Sequence, residues 1–189
     1  MSNKNVIEKE MIGNVLRRAH RIAVIGNAGS GKSTVASALH TILGLPVYHL
    51  DQYFWKPNWT PPNRDEYKII HDALCDQDQW IIDGTNLSLS EHRMNRADAI
   101  IILKIPRMLC VWRIFKRTFT YYGKQTPSSA QGCCEGFSWK FIQFLKWVWN
   151  FEPKYNAKLA EILETYGKTK AVWVLSSQKE IDEFLKNIS

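Results

Sequence analysis

The sequence predicts one α/β domain spanning residues 1–189, a parallel sheet covered by helices on both faces. Three observations predict it. Short apolar runs recur along the chain with helical stretches between them, as expected of parallel strands buried on both sides. A glycine-rich turn, GNAGSGKS at residues 26–33, lies between the first such run and a helix. Two aspartates, Asp51 and Asp83, each close a later apolar run, and ligands of open parallel sheets gather beyond the carboxyl ends of the strands. At 189 residues, 45% of them hydrophobic, the chain can bury a core without disulfide staples.

Residues 1–20 read as an amphipathic helical extension, with Val6, Met11, Val15 and Leu16 among its apolar positions. They are too charged for a secretory signal. Ile22 to Ile25 form the first strand. Gly26-x4-Gly31-Lys32-Ser33 follows, the G-x-x-x-x-G-K-[ST] pattern of a phosphate-cradling P-loop. Its glycines let the backbone curl so that successive N–H groups point at phosphate oxygens, and the helix that follows adds its positive dipole end. Gly26, Asn27, Ala28, Gly29, Ser30, Gly31, Lys32, Ser33 and Thr34 are therefore the candidate nucleotide-binding residues. Lys32 is expected on the β- and γ-phosphates and the Ser33 hydroxyl on Mg²⁺. Val35 to Leu43 continues as a helix with Val35, Leu39 and Ile42 on one side.

The second strand, Pro46–Leu50, delivers Asp51. This carboxylate either takes a proton from an acceptor hydroxyl, hydrogen-bonds the acceptor, or caps the next segment. Residues 52–63, QYFWKPNWTPPN, hold three prolines and two tryptophans and predict a stiff, non-helical loop. Trp55 and Trp59 there either stack on a base or sugar or pack the lip of the domain. A helix is expected from near Arg64. Trp80–Ile82 makes the third strand and ends at Asp83, placed to hold the hydration shell of Mg²⁺; Asp83-Gly84 also reads as a plain turn. Ala99–Lys104 is the fourth strand. Beyond Pro106 comes a basic helix with Arg113 and Arg117 one turn apart on one face, either a lid that brings positive charge to a transferring phosphoryl group or a solvated surface. Residues 118–136 are the candidate lid loop. An aromatic helical segment, 137–166, follows, with Phe137, Phe141, Phe144, Trp147 or Val148, and Phe151 spaced to face the core. Ala171–Leu175 is the last strand.

Cys75, Cys110, Cys133 and Cys134 show no zinc-ligand spacing. The adjacent Cys133 and Cys134 read as two solvent-side free thiols, the alternative being a redox-active or weakly metal-binding pair, and the setting as reducing and cytoplasmic. No apolar run nears the roughly 20 residues needed to cross a bilayer, so no membrane partner is expected. Charge is concentrated: residues 107–158 carry nine basic residues against Glu135 and Glu152, and 13 of the 23 aromatics. An anionic visitor is expected there, and aromatics interleaved with lysines suit single-stranded nucleic acid. No helix-turn-helix, zinc-finger or RNA-recognition signature accompanies them.

GNAGSGKST, HLD, IIDG and the R-x-x-x-R helix together resemble the adenylate kinase and shikimate kinase group of small P-loop phosphotransferases. More narrowly, HLDQYFWKPNW, WIIDGTN, the Arg93-x4-Asp98 step into AIIILKIPR, and FLKWVWNF resemble the bacterial DNA topology modulation (FlaR-like) proteins, from about Arg21 to Leu185. The resemblance implies a three-layer α/β/α fold with five parallel strands in the order 2-3-1-4-5 and a helical lid. It implies that Arg113 covers the base, that Arg117 meets the transferring group, and that Asp83 orders the Mg²⁺ waters. Arg93 corresponds to an acceptor-side arginine, although its loop, GTNLSLSEHR, departs from the DG-x-P-R turn of adenylate kinases. The loop Ser176-Ser177-Gln178 falls where such folds touch adenine. The expected activity is transfer of the γ-phosphoryl group of ATP to a small acceptor: a nucleoside, nucleotide or related metabolite. The alternatives are an ATP-binding regulator that contacts DNA or RNA, and an ATPase without an acceptor.

Overall fold

In the computed structural model, residues 12–188 are described. Residues 12–18 form a helix, α1; the rest of the predicted extension, including Val6 and Met11, lies outside the described residues. Leu16 of α1 is fully buried, whereas Val15 is exposed. The strands are β1 (Arg21–Gly26), β2 (Val47–His49), β3 (Trp80–Asp83), β4 (Ala99–Leu103) and β5 (Ala171–Leu175). All pair in parallel, in the order β2-β3-β1-β4-β5. The helices are α2 (Lys32–Leu43), α3 (Leu50–Phe54), α4 (Arg64–Cys75), α5 (Ser90–Arg96), α6 (Arg107–Thr120), α7 (Trp139–Trp149), α8 (Phe151–Tyr166) and α9 (Gln178–Lys186).

The sheet divides the core in two, and the twofold period of a strand sorts its side chains between the halves. Ile22 and Val24 of β1, with Ile101 and Leu103 of β4, join Val35 and Leu39 of α2, Ile114 of α6 and Phe184 of α9. Ala23, Ile25, Ile100 and Ile102 point the other way, into Trp80, Met94 of α5, and Leu159 and Ile162 of α8. Each buried isoleucine or leucine contributes about 1.5–3 kcal/mol relative to exposure. That double covering is why the strands read as unbroken apolar runs.

Asp98 fixes the start of the central strand. Its Oδ2 accepts from the backbone N–H groups of His20 (3.0 Å) and Arg21 (2.9 Å), and its Oδ1 pairs with the Arg21 guanidinium at 3.2 Å. The predicted non-helical loop after Asp51 is only partly so. Residues up to Phe54 continue the short helix α3, whereas Pro57–Trp59 is non-helical as expected, with Asn58 and Trp59 at φ 61° and 55°. The aromatic stripe also splits: Val148 and Phe151 are buried, but Phe137 precedes α7 and is 51% exposed. Cys133 departs from expectation too. It is buried, its thiol donating to the Lys56 carbonyl at 3.3 Å, while Cys134 alone of the pair is exposed.

Candidate nucleotide and phosphoryl-transfer site

The turn 26–31 joins the carboxyl end of β1 to the first residue of α2, Lys32. Gly29 has φ +75°, and a side chain there would drive into the carbonyl of Cys110 on α6. Gly29→Ala is therefore expected to cost about 1–3 kcal/mol and to lower the thermal midpoint by several degrees, read by calorimetry. Asn27 anchors the turn from below, its Nδ2 donating to the Val148 carbonyl at 2.9 Å, and the Thr85 hydroxyl donates to the Gly26 carbonyl. Ser33 is half-buried and Thr34 is exposed at the start of the helix.

Three charged groups converge at the strand ends. Lys32 Nζ donates to the Asn27 carbonyl at 2.9 Å. Burial lowers its pKa, opposed by the nearby charges of Asp51 and Asp83. Asp51 follows β2 at the start of α3. It remains in contact with solvent, yet enough protein surrounds it that desolvation raises its pKa, against the pull of Lys32 and Arg117. Asp83 ends β3 and is buried, with Oδ1 accepting from His49 Nδ1 at 2.7 Å. The sheet register puts His49 directly beside Asp83, so this contact follows from the strand order.

No motif in the sequence singles out His49. Its hydrogen bond to Asp83 raises its pKa, with burial opposing and the charges of Asp83 and Asp51 adding. A raised folded-state pKa means a stabilisation fully present below the unfolded value of about 6.5 and lost as pH climbs through the folded value. Thermal midpoints measured upward from pH 6 should fall across that window in the natural chain. In His49→Gln that decline should be smaller.

From above, α6 presents its two arginines. Arg113 donates from Nη1 to the Ser30 carbonyl (3.2 Å) and from Nη2 to Gln178 Oε1 (2.7 Å). It thus ties the phosphate turn to the first residue of α9. Arg117 lies within electrostatic reach of both Lys32 and Asp51. Its Nε sits 2.8 Å from Glu135 Oε1, close as an ion pair but not aligned as a hydrogen bond. Glu135 is buried and accepts from the Thr118 hydroxyl at 2.7 Å. Its backbone bonds to Gly123 and Lys124 close the loop after α6. Sequence reasoning assigned Glu135 no role. The available signal was its isolation, as the only carboxylate between Asp98 and Glu152.

In the segment after Asp51 the two tryptophans meet each other. Trp55 and Trp59 pack edge to face at 5.8 Å, and Trp59 Nε1 donates to the Cys134 carbonyl at 2.9 Å. With Asn58 N–H on the Gly132 carbonyl and Gln52 on the Pro127 carbonyl, the segment after Asp51 is joined to the loop after α6. Arg93 lies in α5 with no exposed surface, and among the described residues none of its three guanidinium nitrogens has a hydrogen-bond partner. Desolvation lowers its pKa, with Cys75, Tyr67 and Asp83 acting in the opposite direction. Tyr67 beside it is pushed up to about 12 by burial.

Mg²⁺ keeps several waters and takes only one or two protein oxygens beside substrate phosphates. The Ser33 hydroxyl and the remaining oxygen of Asp83 fit that need. No group of three or more metal-ligating side chains exists among the described residues, and this chemistry requires none.

No family model matches the chain, and no curated protein matches it. Solved structures do. A sugar kinase from a Janibacter species superposes with a TM-score of 0.51 at 14% identity, over 88% of this chain and 90% of that one. A gluconokinase from Sinorhizobium meliloti gives 0.49 at 17% identity, over 89% and 90% of the two chains. A shikimate kinase from Bacteroides thetaiotaomicron gives 0.47 at 15%, over 90% and 96%. At these identities the likeness is one of fold: the chain has a three-layer α/β/α fold, with its five parallel strands in the order β2-β3-β1-β4-β5.

Proposed function

We propose that the protein transfers the γ-phosphoryl group of ATP to a small acceptor that carries both a hydroxyl and an anionic group, such as a nucleotide or a related phosphorylated or carboxylated metabolite. The observation that supports this most is the convergence of Lys32, Asp51 and Asp83 at the ends of three adjacent strands, with Arg117 approaching from α6. A bare nucleotide-binding switch has no need of Asp51.

Backbone N–H groups of residues 26–33 hold the phosphates, and Lys32 exchanges the Asn27 carbonyl for a phosphate oxygen. Arg113 leaves Gln178 to lie against the base. The Ser33 hydroxyl and, through water, Asp83 would hold Mg²⁺, which would supply charge neutralisation on the phosphates. Asp51, its carboxyl raised by desolvation, accepts the proton of the attacking hydroxyl. Arg117 stabilises charge on the transferring group. Such sites act chiefly by positioning and preorganised electrostatics. Arg93, with no exposed surface in the free protein, is uncovered on binding and receives the anionic group of the acceptor.

The test is a panel of nucleosides, nucleotides, sugar phosphates and cyclic hydroxy acids scored for acceptor-stimulated ADP release. Stimulation confined to anionic acceptors supports the assignment. ADP release indifferent to every acceptor identifies an ATPase instead.

A further inference from the structure

The functional reading leaves one face of the molecule unexplained. On α6, Met108, Trp112, Phe115 and Phe119 recur at intervals of four, three and four residues, and are 65%, 64%, 40% and 78% exposed. Those intervals place them on one stripe. Cys110, Ile114 and Thr118, on the opposite side of the helix, fill the interior. Soluble domains leave single apolar residues exposed, but a contiguous stripe of this size marks an interaction site.

The stripe does not end with α6. Arg107 lies over the Trp149 ring at 4.3 Å, Phe115 meets Phe141 at 5.4 Å, and Tyr122 stacks on Phe137 at 5.8 Å. These contacts run from the start of α6 against the end of α7 to the reverse, so the two helices are antiparallel neighbours. Their seam opens to solvent, since Trp149, Phe115, Tyr122 and Phe137 are all exposed. Trp139 and Ile142, 71% and 54% exposed, extend the apolar area along α7. The longer helix, of 14 residues, is about 21 Å long at 1.5 Å per residue.

Charge selects the occupant. From Ala99 to Phe151 the sequence has eight basic residues and one carboxylate, Glu135, and that carboxylate is buried against Thr118 and Arg117. Lys116 of α6 and Lys146 of α7 are exposed. A second copy docked through this same face would set Lys116 and Lys146 against the same lysines of the other copy. Nucleic acid would find ring faces at the tryptophans and phenylalanines, but Met108 and Ile142, within the same apolar area, offer a base nothing to stack on. A surface that takes in Met, Ile, Trp and Phe together while drawing in lysine ammonium groups is an acidic bilayer. Apolar side chains enter the headgroup boundary, and lysine stems lie alongside them with their charges at the phosphates.

We propose that the outward face of α6 and α7 docks the protein on an anionic lipid surface. The expectation of no membrane partner rested on the lack of a spanning segment. No described helix is long and apolar enough to cross a membrane; this helix pair lies on one. The proposal is independent of the phosphoryl-transfer reading, because the residues concerned are not those of the site.

Co-sedimentation of the full chain with vesicles tests it. The protein should pellet with phosphatidylcholine vesicles containing phosphatidylglycerol, not with phosphatidylcholine alone, and salt should weaken the binding. Trp112→Ser with Phe119→Ser should reduce vesicle affinity at least about tenfold, with the thermal midpoint and nucleotide affinity kept. Lys116→Glu with Lys146→Glu should abolish the preference for the acidic lipid. No binding to acidic vesicles overturns the proposal, as does binding that neither pair of substitutions changes. It is equally overturned if the serine pair instead abolishes self-association or oligonucleotide binding while vesicles remain unbound.

Discussion

Lys32→Ala should lower acceptor-stimulated ADP release by roughly 10²–10³-fold, the range seen when one preorganised group is removed from a developing charge, while the fold survives. Lys32 begins α2 at the mouth of the turn, and among the described residues its ammonium group donates to the Asn27 carbonyl. Its removal acts on two neighbours at once. Asp51 and Asp83 both lie within its field, and Asp51 loses the cation that most opposes its desolvation. The substitution should thus move the acidic limb of the pH–rate profile to higher pH in any residual activity. A Lys32→Ala protein that keeps its rate and its pH profile would remove this lysine from the chemistry.

Arg93→Met should change the protein in two opposite ways. A buried cation without a hydrogen-bonding partner is destabilising, and an apolar side chain of similar volume at such a position can stabilise by about 1–4 kcal/mol. In a chain of 189 residues each kcal/mol raises the thermal midpoint by about 2–4 °C. The substituted protein should therefore melt higher in the absence of acceptor. Its KM for an anionic acceptor should rise at least about tenfold, since a hydrogen bond to a charged group is lost, with ATP affinity unchanged. Calorimetry and steady-state kinetics read the two effects separately. A fall in the midpoint would show that the guanidinium serves the fold instead.

The fold was legible wherever one residue type performs one local task. Apolar runs around Ile22, Ile82 and Ile101 are strands because both of their faces are covered, and the phosphate turn is recognisable because only glycine tolerates the backbone at Gly29. The arginines of α6 were legible from their spacing. What could not be read depends on contacts between distant segments. His49 reaches Asp83 only because β2 lies beside β3. Glu135 is reached through a loop whose path no local pattern dictates. The burial of Arg93 arises from α4 folding over α5, although arginine is among the residues most often found at the surface. The helix α3 was missed because the prolines at 57, 61 and 62 dominate a segment whose first residues precede them.

The central claim is that residues 26–34 grip a triphosphate. It is tested most directly by the amide chemical shifts of the 22.0 kDa chain as Mg–ATP is added. The largest changes should fall on the backbone N–H groups of residues 26–34, with smaller ones at Asp51, Asp83 and around Arg113, and adenosine without phosphates should fail to reproduce them. Saturating Mg–ATP that leaves the amides of 26–34 unmoved while shifting others would contradict it.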